Sequence, residues 1–370
     1  MNGIKVNLRK RQDNSYNIYI ENNAFSKIAG DLKKKSIGNR YAVITDSNVK
    51  RIFGKQLMKN LKHKRLDACI IDFPAGERNK RLKTIGSIQE RMLANGLDRK
   101  SAVIALGGGV AGDVAGFAAA SYMRGIPFIQ LPTTLLAMVD SSVGGKVGVD
   151  LPSGKNSSGA FRQPEAVYIH LNALKSLPER EMRNGMAEVV KHSVMADKKL
   201  FSYLERNVNG IMGKDIKILG RVIKRNCEIK GRIVEKDELE ENLRKTVNYG
   251  HTIGHALEVL TNYRKYSHGE AIAIGMNAAA LISEKMGLMN SGDVERQRLL
   301  LERIGLPTKI PKNISNARIL GELKKDKKAR NGVAKFVLPK RIGKMHSIKG
   351  DYALDVPREI ISGALSEARK

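Results

Sequence analysis

At 370 residues the chain exceeds the roughly 250–300 residues at which a single hydrophobic core stops growing, so two domains are expected. Hydrophobic residues make up 42% and charged residues 28%, the balance of a water-soluble globular protein, and no apolar run approaches the ~20 residues needed to cross a bilayer. The 66 Lys and Arg against 37 Asp and Glu leave a net charge of +29, but the excess is spread along the chain, with clusters at Lys33 to Lys35, Lys59 to Arg65 and Lys324 to Arg330. No helix-turn-helix, zinc-finger or aromatic RNP pattern accompanies it, so a basic surface that focuses small anions is favoured over nucleic-acid binding.

The start, MNGIKVNLRKRQDNSYNIYI, alternates apolar and polar residues without the apolar core of a secretory signal, and is expected to form a first strand. Cys69 and Cys227 are the only cysteines, so no disulfide framework is expected and a reducing cytoplasm fits. Strand-like and helix-like segments then alternate: YAVITDSN, a basic helical stretch, ACIIDF, a helix from about Leu82 to Asn95, and SAVIALGGG. This alternation predicts a mostly parallel sheet with its ligand site beyond the carboxyl ends of the strands, where TDSN, PAGE and GGGVAGD would share one edge. After about Pro164 the spacing becomes helical and strand signals scarce, so a mainly helical second domain is expected from residue 165 to the end, with a short extended piece at AKFVLP.

SAVIALGGGVAGDVAGFAAASYMRG reads as a buried strand, a glycine turn and a helix beginning near Asp113. Gly107, Gly108, Gly109 and Gly112 do not make the G-x-G-x-x-G fingerprint, yet backbone amides presented at a helix amino end suit a pyrophosphate. Thr133 and Thr134 in LPTTLLAMVDSS, with Glu77 and Lys80 in GERNK, would reach the same edge; each alone is equally well an N-cap or a solvated charge.

Three of the seven histidines, His251, His255 and His268, fall within NYGHTIGHALEVLTNYRKYSHGEAIAIGM. On a helix, residues four apart stand about 6 Å apart on one face, so His251 and His255 either share a metal or divide ligation and proton transfer between them. A catalytic divalent ion usually takes three protein ligands, often with one carboxylate. Glu188 in NGMAEVVKHS is the best supplier, with Lys191 three residues on and so on the same helix face. VDSSVGGKVGVDLPSGKNSSGAF reads as a small-residue loop offering Asp140, Lys146, Lys155 and Asn156 to phosphate or sugar hydroxyls, and Arg244 and Asn248 stand at helical spacing just before His251.

These motifs, with KDELEENLRKTVNYGHTIGHALE, run in order over nearly the whole chain, which resembles the 3-dehydroquinate synthases within the sugar phosphate cyclases. The resemblance implies an α/β Rossmann-like NAD domain at residues 1–164, an all-α metal- and substrate-binding domain at 165–370, an active site between them, and a homodimer. By resemblance the metal ligands are Glu188, His251 and His268, for zinc or cobalt. His255 and Glu240 become acid–base groups, with Lys146 and Lys191 beside them in catalysis. Asp140, Lys146, Asn156, Lys191, Lys230, Arg244, Asn248 and Lys328 (or Lys327) would contact the substrate. Arg124 would do so from the neighbouring subunit. NAD contacts would be Asp46, Glu77, Lys80, Gly108, Gly109, Asp113, Thr133, Thr134 and Lys155. Val147 and Asp150 stand where the family commonly has Thr and Asn, Ser193 where Gly is frequent, and the Ser157–Ser158 pair is unusual.

The implied reaction converts 3-deoxy-D-arabino-heptulosonate 7-phosphate to 3-dehydroquinate and phosphate by transient oxidation, elimination, re-reduction and intramolecular aldol closure. The rival readings are a sister cyclase acting on a neutral sugar phosphate and a metal-dependent alcohol dehydrogenase. Lys230 and Arg244, two cations aimed at one end of the substrate, favour a carboxylate-bearing one.

Overall fold

The computed structural model describes residues 13–152, 154–325 and 334–370. The expected first strand is present as β1 (Asn17–Glu21), while the segment before residue 13 lies outside the described residues, as does Lys328. Then follow β2 (Tyr41–Asp46), β3 (Ala68–Phe73), β4 (Ala102–Gly107), β5 (Phe128–Pro132), β6 (Lys146–Leu151), β7 (Gly154–Phe161) and β8 (Ala166–His170). Six of these form one sheet in the order β1-β8-β5-β4-β2-β3, with every neighbouring pair parallel.

The strands of this sheet alternate between two cores, because successive side chains point to opposite faces. Ala42 and Ile44 face the helices Leu82–Ala94 and Gly109–Ser121 through Ile88, Val114 and Ala118. Tyr41 and Val43 face the helices Ala24–Lys35 and Lys55–His63 through Phe25, Ile28, Leu57 and Leu61. With both faces covered, the central strands are buried end to end, which is why they read as unbroken apolar runs. The chain leaves β2 toward β3 on one side and resumes at β4 on the other, so a crevice opens at the carboxyl ends between β2 and β4. The register pairs Asp46 with Phe73 and Gly107 with Pro132, which sets the TDSN, PAGE, glycine and PTT loops on a single edge, as expected.

Two expectations are corrected. The helix after the glycines starts at Gly109, with Gly108 as its N-cap, four residues before Asp113; small residues fit the first turn, so nothing in that turn delays the helix. The segment expected to be a loop is an antiparallel hairpin of β6 and β7, with a register shift between Val149 and Leu151. Its glycines permit it: a Cβ on Gly159 would lie 2.2 Å from the Val147 carbonyl oxygen. The second part is mainly helical, with the short extended piece where it was expected. Phe336, in the AKFVLP piece, bridges Leu354, and β9 (Pro339–Arg341) pairs with β10 (Lys344–Met345).

The helices Glu179–Ala196, Lys198–Met212, Ile216–Lys236, His251–Leu260, His268–Lys285 and Ser291–Ile304 enclose one hydrophobic core. That core also takes in Leu135, Met138 and Val139 after β5, and Val167 and Ile169 of β8. The sheet therefore continues past residue 164 through β8, whose Val167 and Ile169 face the helical part while Ala166 and Tyr168 face the opposite core. Among the described residues no helix is long and apolar enough to cross a membrane.

Candidate active site

Three helices carry Glu188, His251 and His268, and glycines let their backbones meet. A Cβ on Gly275, in the His268 helix, would lie 2.0 Å from the Gly250 carbonyl oxygen, and one on Gly269 would lie 2.4 Å from that of Asn184, one turn before Glu188. Gly250 itself has a φ of +78°, a left-handed turn that starts the His251 helix and that a side chain would strain. The Asn184 side chain accepts the Gly269 N–H at 2.6 Å, fixing the start of the third helix, and Ser267 with Glu270 closes a capping box there.

The outcome is a cluster in which Glu188 Oε1 lies 3.8 Å from His251 Nε2 and 3.5 Å from His268 Nε2. One ligand atom from each residue lies within 4.8 Å of the others. Glu188 is fully buried. Lys191 Nζ lies against its Oε2 as an ion-pair partner, yet neither carboxylate oxygen receives a formed hydrogen bond. His251 donates from Nδ1 to the Tyr249 carbonyl at 3.1 Å, which leaves Nε2 turned to the cluster. Two imidazole nitrogens and a buried carboxylate oxygen gathered in this way fit a divalent cation such as zinc or cobalt. Burial would raise the Glu188 pKa, but Lys191 and the histidines outweigh it and hold the carboxyl ionised. Burial also holds His251 neutral, the form that ligates.

His255 stands beside this cluster, 45% exposed, its ring centroid 5.1 Å from that of His251 and its Nε2 3.9 Å from Glu258 Oε2. Glu240 bears a φ of +63°, accepts from Asn248 at 2.8 Å and contacts the Lys146 ammonium, so these three expected residues come together. Asp140 receives Lys230 Nζ at 2.5 Å on both its carboxylate and its carbonyl. Burial would raise the Asp140 pKa, but Lys230 and Lys191 hold it well below the usual range. Arg244 is buried and donates to the carbonyls of Gly144, at 2.8 Å, and Glu238. Arg124 sits apart on an exposed turn at a φ of +69°.

At the sheet edge, Lys80 is 5% exposed and bonds Asp113 at 2.6 Å and Asn156 at 2.5 Å. Asn156, expected among the substrate contacts, is thus tied to Lys80 here. Lys155 lies 3.6 Å from Glu77. Burial raises the Asp113 pKa, and Lys80, despite burial, is raised by Asp113 and Glu77. Asp46 caps the following turn by accepting from Asn48 and Val49 at 2.9 and 3.1 Å, and Thr134 accepts from Ala137 at 3.2 Å. Thr133 is buried with its N–H on the Gly107 carbonyl. Gly108 and Gly109 present the helix amino end with no side-chain cap.

The departures from the family pattern fit locally. Val147 fills the space left by Gly116, Ser193 returns its hydroxyl to Val190 at 2.7 Å, Ser157 does the same to Gly154 and Lys155, and Asp150 accepts from the Asn156 N–H.

Sequence reasoning missed two buried residues. Glu258 faces His268, His255 and Lys155, and its one signal is a position three residues after His255. His192, the last residue of AEVVKH, is fully buried with Nδ1 on Asn226 and Nε2 3.6 Å from Asp140.

A glycine-headed helix at a parallel-sheet switch point, faced by a His-His-Glu cluster on a helical part, defines a dinucleotide- and metal-using enzyme of two-part architecture. Comparison with known proteins narrows this. Residues 70–184 match the 3-dehydroquinate synthase N-terminal family and residues 185–329 the 3-dehydroquinate synthase C-terminal family. A curated 3-dehydroquinate synthase of Prochlorococcus marinus (strain AS9601) is 47% identical over 90% of this chain and 92% of its own. A solved 2-deoxy-scyllo-inosose synthase, complexed with carbaglucose-6-phosphate, NAD+ and Co2+, superposes with a TM-score of 0.86 at 30% identity, over 95% of this chain and 96% of its own. A 2-epi-5-epi-valiolone synthase from Streptomyces hygroscopicus subsp. jinggangensis 5008, with NAD+ and Zn2+ bound, gives 0.87 at 25% identity over 99% of both. The chain belongs to the 3-dehydroquinate synthase family.

Proposed function

We propose that this enzyme converts 3-deoxy-D-arabino-heptulosonate 7-phosphate to 3-dehydroquinate and phosphate with bound NAD and one divalent ion. The observation that carries the reading is Glu188, fully buried, paired on Oε2 with Lys191 and facing the Nε2 atoms of His251 and His268 with Oε1. These three would hold the ion; Gly108, Gly109, Asp113, Lys80, Glu77, Thr133, Thr134, Asp46 and Lys155 would line the dinucleotide. When bound, NAD supplies a reversible hydride acceptor and the ion Lewis acidity toward an alcohol oxygen.

The chain's own groups account for the rest. Lys191 and Lys146 are ammonium donors placed for substrate oxygens, the first against Glu188 and the second against Glu240. Glu240, held by Asn248, and His255, open to solvent, are the groups placed to move protons during elimination and aldol closure. Lys230 and Arg244, both buried, would meet the substrate carboxylate, which separates this reading from cyclases of neutral sugar phosphates. Arg124, exposed on its turn, suits a phosphate contact across a homodimer. A cytoplasmic setting accords with two unpaired cysteines. The division between the two domains is proposed to follow β8, past the expected boundary at 164, because β8 is hydrogen-bonded into the sheet.

The test is phosphate release from the heptulosonate phosphate by purified protein with trace NAD and zinc, with and without a chelator. Turnover far beyond the NAD present, abolished by chelation, is expected. Activity on a neutral sugar phosphate alone, or steady NADH accumulation, would replace the proposal with a sister cyclase or a dehydrogenase.

A further inference from the structure

Glu258 is 3% exposed, on the same helix as His251 and His255. Its Oε1 lies 3.4 Å from His268 Nδ1 and 3.5 Å from Lys155 Nζ, so one oxygen serves both. The two nitrogens of His268 therefore face two different carboxylates, Nε2 toward Glu188 and Nδ1 toward Glu258. An imidazole that ligates through Nε2 carries its proton on Nδ1 and needs an acceptor there; a charged acceptor makes it a stronger ligand than a neutral one. His251 has only the Tyr249 carbonyl in that position. The two histidines are thus supported unequally, one by a peptide dipole and one by a full charge. Lys155, on β7, draws on that same charge from the dinucleotide side, while its chain also reaches Glu77 and the Tyr263 ring.

We infer that Glu258 is a positioning residue for the cation, holding His268 in the Nδ1–H form, and that Lys155 moderates its strength by competing for the same oxygen. This rests on the reading of Glu188, His251 and His268 as the cation site. Its consequence is that metal affinity depends on two residues that never touch the metal, one of them on the hairpin that serves the dinucleotide.

The experiment titrates metal-free protein with zinc against a chromophoric chelator at fixed pH. Glu258→Gln is expected to weaken binding about tenfold or more, Glu258→Asp to recover part of that loss, and Lys155→Met to tighten binding. Cobalt absorption bands should shift in Glu258→Gln. Unchanged affinity and cobalt spectrum in Glu258→Gln, with only a lower melting temperature, would reduce Glu258 to a packing role and overturn the inference. Should that variant fail to fold, Lys155→Met decides: unchanged or weakened binding overturns it. Glu188→Gln is the control for the underlying reading, because parent protein that binds no zinc, or a Glu188→Gln protein that binds it equally well, would fail that reading instead.

Discussion

At the dinucleotide end the charged groups already have one another: Lys80 bonds Asp113 and Asn156, Lys155 lies near Glu77, and Asp46 is occupied as a cap. At the cation end Glu188 is buried, with Oε2 paired to the Lys191 ammonium and Oε1 facing Nε2 of both His251 and His268. The first end is a set of internal pairs that must exchange partners when a ligand arrives; the second leaves one carboxylate oxygen and two imidazole nitrogens gathered within 4.8 Å of one another. Burying an ion is costly unless it is paired. A divalent ion can take the three donors of the cation end together, whereas a ligand at the dinucleotide end must first break existing pairs.

Substitutions at the two ends should differ accordingly. Glu188→Gln removes the only carboxylate of the triad, and phosphate release is expected to fall about 1,000-fold, equivalent to ~4 kcal/mol of lost charge stabilisation, with zinc content by metal analysis falling in step. A variant that keeps zinc and rate would erase the contrast. Next in size, Lys230→Met strands Asp140 without its ammonium. It also removes one of the two cations proposed to meet the substrate carboxylate, a charged contact whose loss costs about 2–5 kcal/mol, so kcat/KM for the heptulosonate phosphate should drop on the order of 100-fold in initial-rate assays. At the dinucleotide end Lys80→Met leaves Asp113 and Asn156 to rearrange, and NAD affinity by fluorescence titration should weaken only about tenfold. A larger loss there than at Glu188 would reverse the comparison.

The remaining effect, on stability, concerns neither end. His170, at the end of β8, accepts the Ala24 N–H at 3.1 Å on Nδ1 and stacks on Phe25, and burial lowers its pKa to about 4. With the folded pKa below the unfolded value near 6.5, the unfolded chain binds the proton more readily between the two. Stability should therefore be full above about pH 6.5 and decline as pH falls toward 4, by ~3 kcal/mol. Urea unfolding at pH 7 and pH 4.5 should show that decline shrinking in His170→Asn, and an equal decline in both proteins would assign it elsewhere.

The cation end was legible because its signal is local. His251 and His255 sit four apart, His268 follows within one turn-and-helix unit, and Glu188 lies in an apolar helix, so residue type and spacing nominate the ligands. Spacing alone did not divide their roles; family resemblance did. The sheet was legible from its buried apolar runs, and the shared edge from their common direction. The hairpin of β6 and β7 was missed because a strand pair rich in Gly, Ser and Lys lacks both apolar alternation and β-branched residues. Glu258 and His192 were missed for another reason. Each acquires meaning only from partners on other elements, His268 and Lys155 for one, Asn226 and Asp140 for the other. The glycines that press the ligand helices together are equally silent in sequence, since Gly269 and Gly275 are useful only where another backbone happens to lie.

The central claim is that one cation is held between three named side chains. Anomalous diffraction at the zinc edge from crystals of the zinc-loaded protein tests it most directly. The expected result is a single strong peak within coordination distance, about 2.0–2.2 Å, of a Glu188 oxygen and of Nε2 on both His251 and His268. A peak centred instead among His255, Glu258 and His268, or none near Glu188, would contradict the account.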